Sequence, residues 1–207
     1  MARTTKQQRE SNAALGTLIC VLLFSPFLIF SVFKYFSLKN EYMSGDNYHR
    51  VVDVGTVKKP IMTAVGLVIF SYFAIVVTHD NLPVLSVLII FVVAFLAYKV
   101  AQWVAVKYIG AIIDADNGLV IFPPDMQSYG VADYLTMKAL KDMSRLDKVN
   151  ISEIEKMTRQ AGKRLYLHGR FGSRGIFFSD KQKRDECMSA IQQLCGKGTL
   201  MYELEGS

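Results

Sequence analysis

The chain has 207 residues, 51% of them hydrophobic and 20% charged, with a formal net charge of +6 at pH 7. Nearly all of the apolar excess precedes Lys107 and most of the charge follows it. That division excludes a disordered chain, a disulfide scaffold and a plain soluble enzyme, and leaves a membrane protein with one small soluble domain.

A short tail, 1–10, carries Arg3, Lys6 and Arg9. The segment 11–36 follows, charge-free from Ser11 to Phe33, and a helix needs about 20 apolar residues to cross the hydrocarbon core. It exceeds the apolar stretch of a signal peptide and has no small-residue cleavage site before Lys34, so an uncleaved segment is expected, kinked at Pro26. After a linker over 37–59 comes a membrane hairpin over 60–107. Its first arm is Pro60 to His79, Asp80-Asn81 forms the turn, and Pro83 opens the second arm. The second arm continues past Lys99 to about Val106, with Lys99 snorkelling and Tyr98 and Trp103 at headgroup level. Two to three transmembrane helices are therefore expected.

Orientation follows the flanking cations. The hairpin turn has none, whereas Lys34, Lys39, Arg50, Lys58, Lys59, Lys99 and Lys107 border the linker and the hairpin exit. This predicts a C-terminal domain in the cytosol.

The soluble domain is read as 108–196, with a tail over 197–207. Ala111-Ile112-Ile113 and Gly118-Leu119-Val120-Ile121-Phe122 flank an Asn-Gly pair, a strand-turn-strand signal. Val131 to Leu146 has apolar residues at helical spacing. Val149 to Thr158 reads as a strand or short apolar segment. Two strands, Arg164 to His168 and Gly175 to Phe178, are joined by a loop from Gly169 to Arg174. A helix from Asp180 to Leu194 follows, capped by Ser179 or Asp180.

Gly118-Leu119-Val120-Ile121, Ile151-Ser152-Glu153-Ile154, the hairpin ending in Gly175-Ile176-Phe177-Phe178 and the last helix together resemble bacterial pleckstrin-homology-like (PH-like) domains, which often follow a pair of membrane helices. The resemblance covers about residues 99 to 196. It implies a small α+β PH-like fold with a C-terminal helix, and a binding or scaffold role without catalysis. The helix at Val131 to Leu146 departs from the strand succession of that family and reads as an insertion.

No motif for a cofactor, metal or nucleophile is evident. His49, His79 and His168 fall in a linker, a membrane turn and a strand, and Cys187 and Cys195 lie about 12 Å apart in helical rise. Cys20, Cys187 and Cys195 read as small hydrophobes. Asp114-Ala115-Asp116-Asn117-Gly118 has a calcium-loop flavour, but its glycine is one position early and strands flank it. Gly172-Ser173-Arg174-Gly175 lacks the first glycine of a nucleophile elbow, and no histidine has an obvious claim to act as its base.

Charge is the more informative signal. Nine basic residues and one acidic residue, a balance of +8, lie between Lys156 and Arg184, whereas 108–155 carries −4 and 185–207 carries −3. An electropositive face is expected at Arg170, Phe171 and Arg174 on the hairpin tip and at Lys181, Lys183 and Arg184 on the last helix. Its partners would be anionic membrane lipids or an acidic protein at the membrane, with oligomers open. A domain of net +1 offers little to nucleic acid. A narrower expectation is an accessory of conjugation or secretion, such as a recipient-membrane protein that excludes incoming plasmids. A transporter or membrane enzyme is disfavoured, since the apolar runs hold no ionisable group near mid-membrane.

Overall fold

The computed structural model describes residues 25–45, 47–78, 83–160, 162–195 and 201–204. Residues 11–24 of the first apolar segment, the Asp80-Asn81 turn and Cys20 lie outside them. The first described element is a helix over 25–42, α1. Then come α2 (Lys58–Thr78) and α3 (Pro83–Ile109), both long and apolar enough to cross a membrane. The most apolar windows of the two are only 22% and 11% buried. A helix in the core of a soluble domain would be mostly covered, whereas these apolar flanks have little of the described protein against them.

Helix α1 runs parallel to α3. Phe30 meets Tyr98 edge-on, with ring centroids 5.3 Å apart, and the Ser31 hydroxyl donates to the Ala101 carbonyl at 3.1 Å. Further along, Tyr35 meets Tyr108, and Leu38 is buried against Val106 and Ile109. From Val84 to Tyr98 the large apolar side chains of α3 are largely exposed. From Val100 onward nearly all are buried in protein. The change marks the level at which the soluble domain begins.

The soluble part has two four-stranded sheets. The first has the order β1 (Tyr48–Val51), β2 (Ala111–Asp114), β3 (Leu119–Phe122), β4 (Asp147–Asn150), all antiparallel. The second has the order β7 (Gly172–Phe177), β6 (Arg164–Gly169), β5 (Ile154–Gln160), β8 (Met201–Leu204). Helix α6 (Lys181–Cys195) closes the core through Cys187, Met188 and Ile191. The first sheet is covered on both faces. Ile113, Val120 and Phe122 face the second sheet, while Ile112 and Ile121 pack on Leu38, Met43, Val106 and Ile109. Burial on both faces explains why β2 and β3 read as continuous apolar runs without alternation.

Several expectations change here. The linker over 37–59 is not a plain connector, because its residues Tyr48–Val51 form an edge strand of the first sheet. Arg50, an apparent orientation signal, caps α3: its guanidinium donates to the carbonyls of Tyr108 and Ile109, both at 2.8 Å, and lies over the Tyr35 and Tyr108 rings. Gly110 ends that helix at φ +74, where a Cβ would strike the Val51 backbone. The single helix expected from Val131 to Leu146 is two, α4 (Val131–Leu135) and α5 (Lys138–Asp142), broken at Met137 with φ 59.

The segment from Val149 to Thr158 divides into the end of β4, a 3-10 turn at Ile151–Glu153, and β5. The tail supplies β8, parallel to β5. Trp103, expected at headgroup level, is covered by protein there, against Met126, Ala139 and Met143. The Asn117–Gly118 turn stands as expected, with Gly118 at φ +61 and the Asp114 carboxylate accepting from the Asn117 N–H at 3.0 Å.

Candidate functional site

The six basic or aromatic residues singled out from the sequence do not form one face. Gly169 pairs with Gly172, so the hairpin loop is only Arg170 and Phe171. Arg170 is exposed, but Phe171 folds back onto the core cluster beside Gly169. Arg174 pairs with Leu167 inside β7, and its charge bears on Asp147 of β4. Lys181, Lys183 and Arg184 begin α6, at the opposite end of β7, about 20 Å away for six residues of strand.

At that end the three differ. Arg184 is 6% exposed and is spent internally, donating to the Gly162 carbonyl and to Asp185 at 2.8–2.9 Å. Lys183 pairs with Glu186 at 2.7 Å, and this bond holds its ammonium above the ordinary lysine range. Lys181 is exposed, with its stem beside Gly162. Asp180 caps α6 by accepting from the Gln182 N–H at 3.0 Å. Opposite charge within the helix's own first turns thus absorbs part of what looked like a free basic cluster.

The structure instead gathers lysines from three separate stretches. A cavity of about 260 Å³ lies where α2 and α3 meet the sheets, lined by Lys58, Lys59, Lys107 and Lys163 together with Trp103, Asp125, Phe177 and Ser179. Lys58 and Lys59 open α2, Lys107 is in the last turn of α3, and Lys163 precedes β6. Lys59 Nζ sits 5.8 Å from the Phe177 ring centroid. Lys107 is 6% exposed, and its ammonium donates to the Pro124 carbonyl at 3.1 Å. That is the ammonium's one hydrogen bond among the described residues, of three it can make.

The carboxylates nearby are occupied. Asp125 holds Arg164 at 3.2 Å. Asp53, 7% exposed, accepts from the Gly55 N–H at 3.0 Å and from both the N–H and the hydroxyl of Ser179. Trp103 is 9% exposed, and its indole N–H is buried without an acceptor among the described residues. Four ammonium groups and a spare donor in one partly closed recess produce a focused positive potential. Such a recess suits an oxyanion such as a phosphate.

Sequence reasoning saw Lys58, Lys59 and Lys107 only as orientation signals and did not single out Lys163. The local pattern could have flagged Lys58-Lys59 at a helix start, where cations oppose the helix dipole.

Three further features carry groups with potential for chemistry. His168 Nδ1 is 2.7 Å from the Ser173 hydroxyl, and its Nε2 is 2.7 Å from that of Thr158. A histidine thus stands beside Ser173, although no histidine had an obvious claim from sequence to act as its base. The second ring nitrogen meets a hydroxyl where a nucleophilic triad places a carboxylate, and the three residues are cross-strand neighbours on the outer face of the second sheet. Cys187 is fully buried, and burial pushes its thiol up to about 12, the opposite of a reactive thiolate. A groove of about 600 Å³ between β1 and α6 is lined by Tyr48, His49 and Glu186 among otherwise apolar and neutral polar residues, with His49 Nε2 3.8 Å from the Glu186 carboxylate. No protein-family model matches the chain, and no curated protein or solved structure matches it either.

Proposed function

We propose that this chain is a non-enzymatic bacterial inner-membrane protein whose soluble PH-like domain, held on the cytosolic side by α2 and α3, binds the phosphate of an anionic lipid headgroup. The observation that carries this is the convergence of Lys58, Lys59, Lys107 and Lys163 on one cavity at the domain–helix junction. Its position matters as much as its charge. Lys58 and Lys59 open a helix whose next residues, Ile61 and Met62, already present exposed apolar side chains. A headgroup phosphate lies at that level when the acyl chains lie against α2. The two sheets with a packing helix agree with a PH-like arrangement, and the orientation follows the basic flanks of both helices.

The test is lipid retention by the full-length protein in detergent, read by native mass spectrometry against equimolar phosphatidylglycerol and phosphatidylcholine. Phosphatidylglycerol is expected to be retained preferentially. At about 1 kcal/mol per basic residue near an anionic surface, Lys59→Glu with Lys163→Glu is expected to weaken that retention by roughly thirtyfold or more. Arg170→Glu, at the far hairpin tip, is expected to leave it unchanged. Equal retention of the two lipids by the unmodified protein would overturn the assignment.

A further inference from the structure

Helix α4 exposes most of its apolar surface. Val131 is 76% exposed, Leu135 is 79% exposed, and Tyr134 and Met137 are 42% and 59% exposed. Val131 and Leu135 stand one turn apart on one side of the helix. Isolated exposed aliphatics are ordinary, but four within seven residues form a patch that needs an occupant.

Two observations identify what covers it. The first is level. Helix α5 anchors the pair to α3 through Ala139 and Met143, which bury Trp103. The exposed apolar stretch of α3 ends at Tyr98, so Trp103 lies five residues, about 7 Å of helix rise, past that boundary. Headgroup layers extend about 5–7 Å beyond the hydrocarbon on each side. The α4–α5 pair therefore sits beside α3 at headgroup depth, well short of the distal end of the sheets.

The second is charge. Asp133 is engaged with the Gly130 N–H at 2.9 Å and with Lys138 at 3.5 Å, and Asp142 accepts from the Tyr129 hydroxyl at 2.7 Å. Lys141 in α5 and Arg145, in the connection three residues past the end of that helix, are exposed. An aliphatic patch bordered by outward cations is the composition of a helix that lies in a membrane interface.

We infer that α4 is an in-plane membrane anchor: Val131, Tyr134 and Leu135 enter the boundary between headgroups and acyl chains of the bilayer that α2 and α3 cross. This rests on the proposal that those helices span. The anchor would fix the tilt of the domain and hold the lysine cavity against the surface, which a two-helix tether alone does not do.

The chain has a single tryptophan, Trp103, whose indole N–H makes no hydrogen bond among the described residues, so W103F gives a blank background. In full-length protein reconstituted into phosphatidylglycerol-containing nanodiscs, W103F/L135W and W103F/V131W report on α4, and W103F/F91W reports on the exposed flank of α3. Lipids brominated near the headgroup or near the chain terminus quench by depth. The expected result is strong quenching of F91W by deep bromines and of L135W and V131W by shallow ones. Quenching of F91W with none at either α4 position would overturn the anchor while leaving the span intact. No quenching at any of the three would overturn the spanning helices and the anchor with them. Either α4 variant suffices, so misfolding of one leaves the other to decide.

Discussion

Asp53 and Gly55 stand two residues apart before α2, and both act on Ser179, which precedes α6 from more than a hundred residues away. The Asp53 carboxylate accepts both the N–H and the hydroxyl of Ser179, and this contact fastens the start of α6 to the start of the α2–α3 helix pair. The contact is possible because residue 55 has no side chain. A Cβ there would lie 2.6 Å from Ser179 Cβ and closer still to its hydroxyl. Ser179 cannot retreat without releasing Asp53, whose buried carboxylate would then lose two donors. Gly55→Ala is therefore expected to lower stability by about 1–3 kcal/mol, the usual range for overpacking a tight contact. Thermal unfolding in detergent measures it. On an S179G background the same Gly55→Ala change is expected to cost clearly less, and equal costs in the two backgrounds would show that the clash lies elsewhere. Nothing local in Asp53-Val54-Gly55-Thr56 announces this clasp, because its partner is distant in sequence.

Between elements, the telling contact is the one from β7 to β4. Arg174 reads from sequence as part of a loop, yet it lies within an edge strand, opposite Leu167, where it stays exposed with its charge directed at Asp147. Burial raises the Asp147 carboxyl above its ordinary range, and Arg174 offsets part of that rise. A carboxyl that holds its proton more tightly folded than unfolded favours the fold at low pH. That contribution fades as pH climbs from the unfolded value, about 3.9, through the higher folded one. At neutral pH the ionised Asp147 is thus a net cost, so Asp147→Asn is expected to raise the thermal midpoint at pH 7 and to lose its advantage below about pH 4. Unfolding curves across that range decide it, and a variant no more stable at pH 7 would refute the account. Strand existence was legible at β2, β3, β6 and β7, because apolar runs bounded by Gly and Pro are local signals. The register that sets Arg174 toward Asp147 was not, since it depends on a loop of two residues where six were expected. The break at Met137 was equally hidden, because apolar spacing continues straight across it.

At the scale of the whole chain, the boundary between the long apolar helices and the sheets is where sequence patterning and structure part company. The change of composition after Lys107 invites a domain cut at 108, but the first sheet does not end there. Its edge strand β1 comes from residues before α2, and its outer face rests on Leu38 of α1, on Met43 just past that helix, and on Val106 and Ile109 from α3. A periodicity reading assigned 37–59 to a linker because four residues of strand, Tyr48–Val51, show no run long enough to stand out among polar neighbours. The same dispersal hid the lysine cavity, whose four cations come from three stretches. A fragment starting at residue 108 would expose Ile112 and Ile121, each 2% exposed or less in the intact chain. Uncovering each side chain costs about 1.5–3 kcal/mol. It would also leave β2 with unpaired backbone groups along a new edge. Together these losses consume much of the 5–15 kcal/mol that holds a typical domain folded. The fragment over 108–207 is therefore expected to show no cooperative thermal transition, whereas the full chain in detergent melts cooperatively when followed by circular dichroism. A sharp melt from the fragment would mean that the second sheet and α6 suffice on their own, and that β1 and α1 are accessories to a domain already complete.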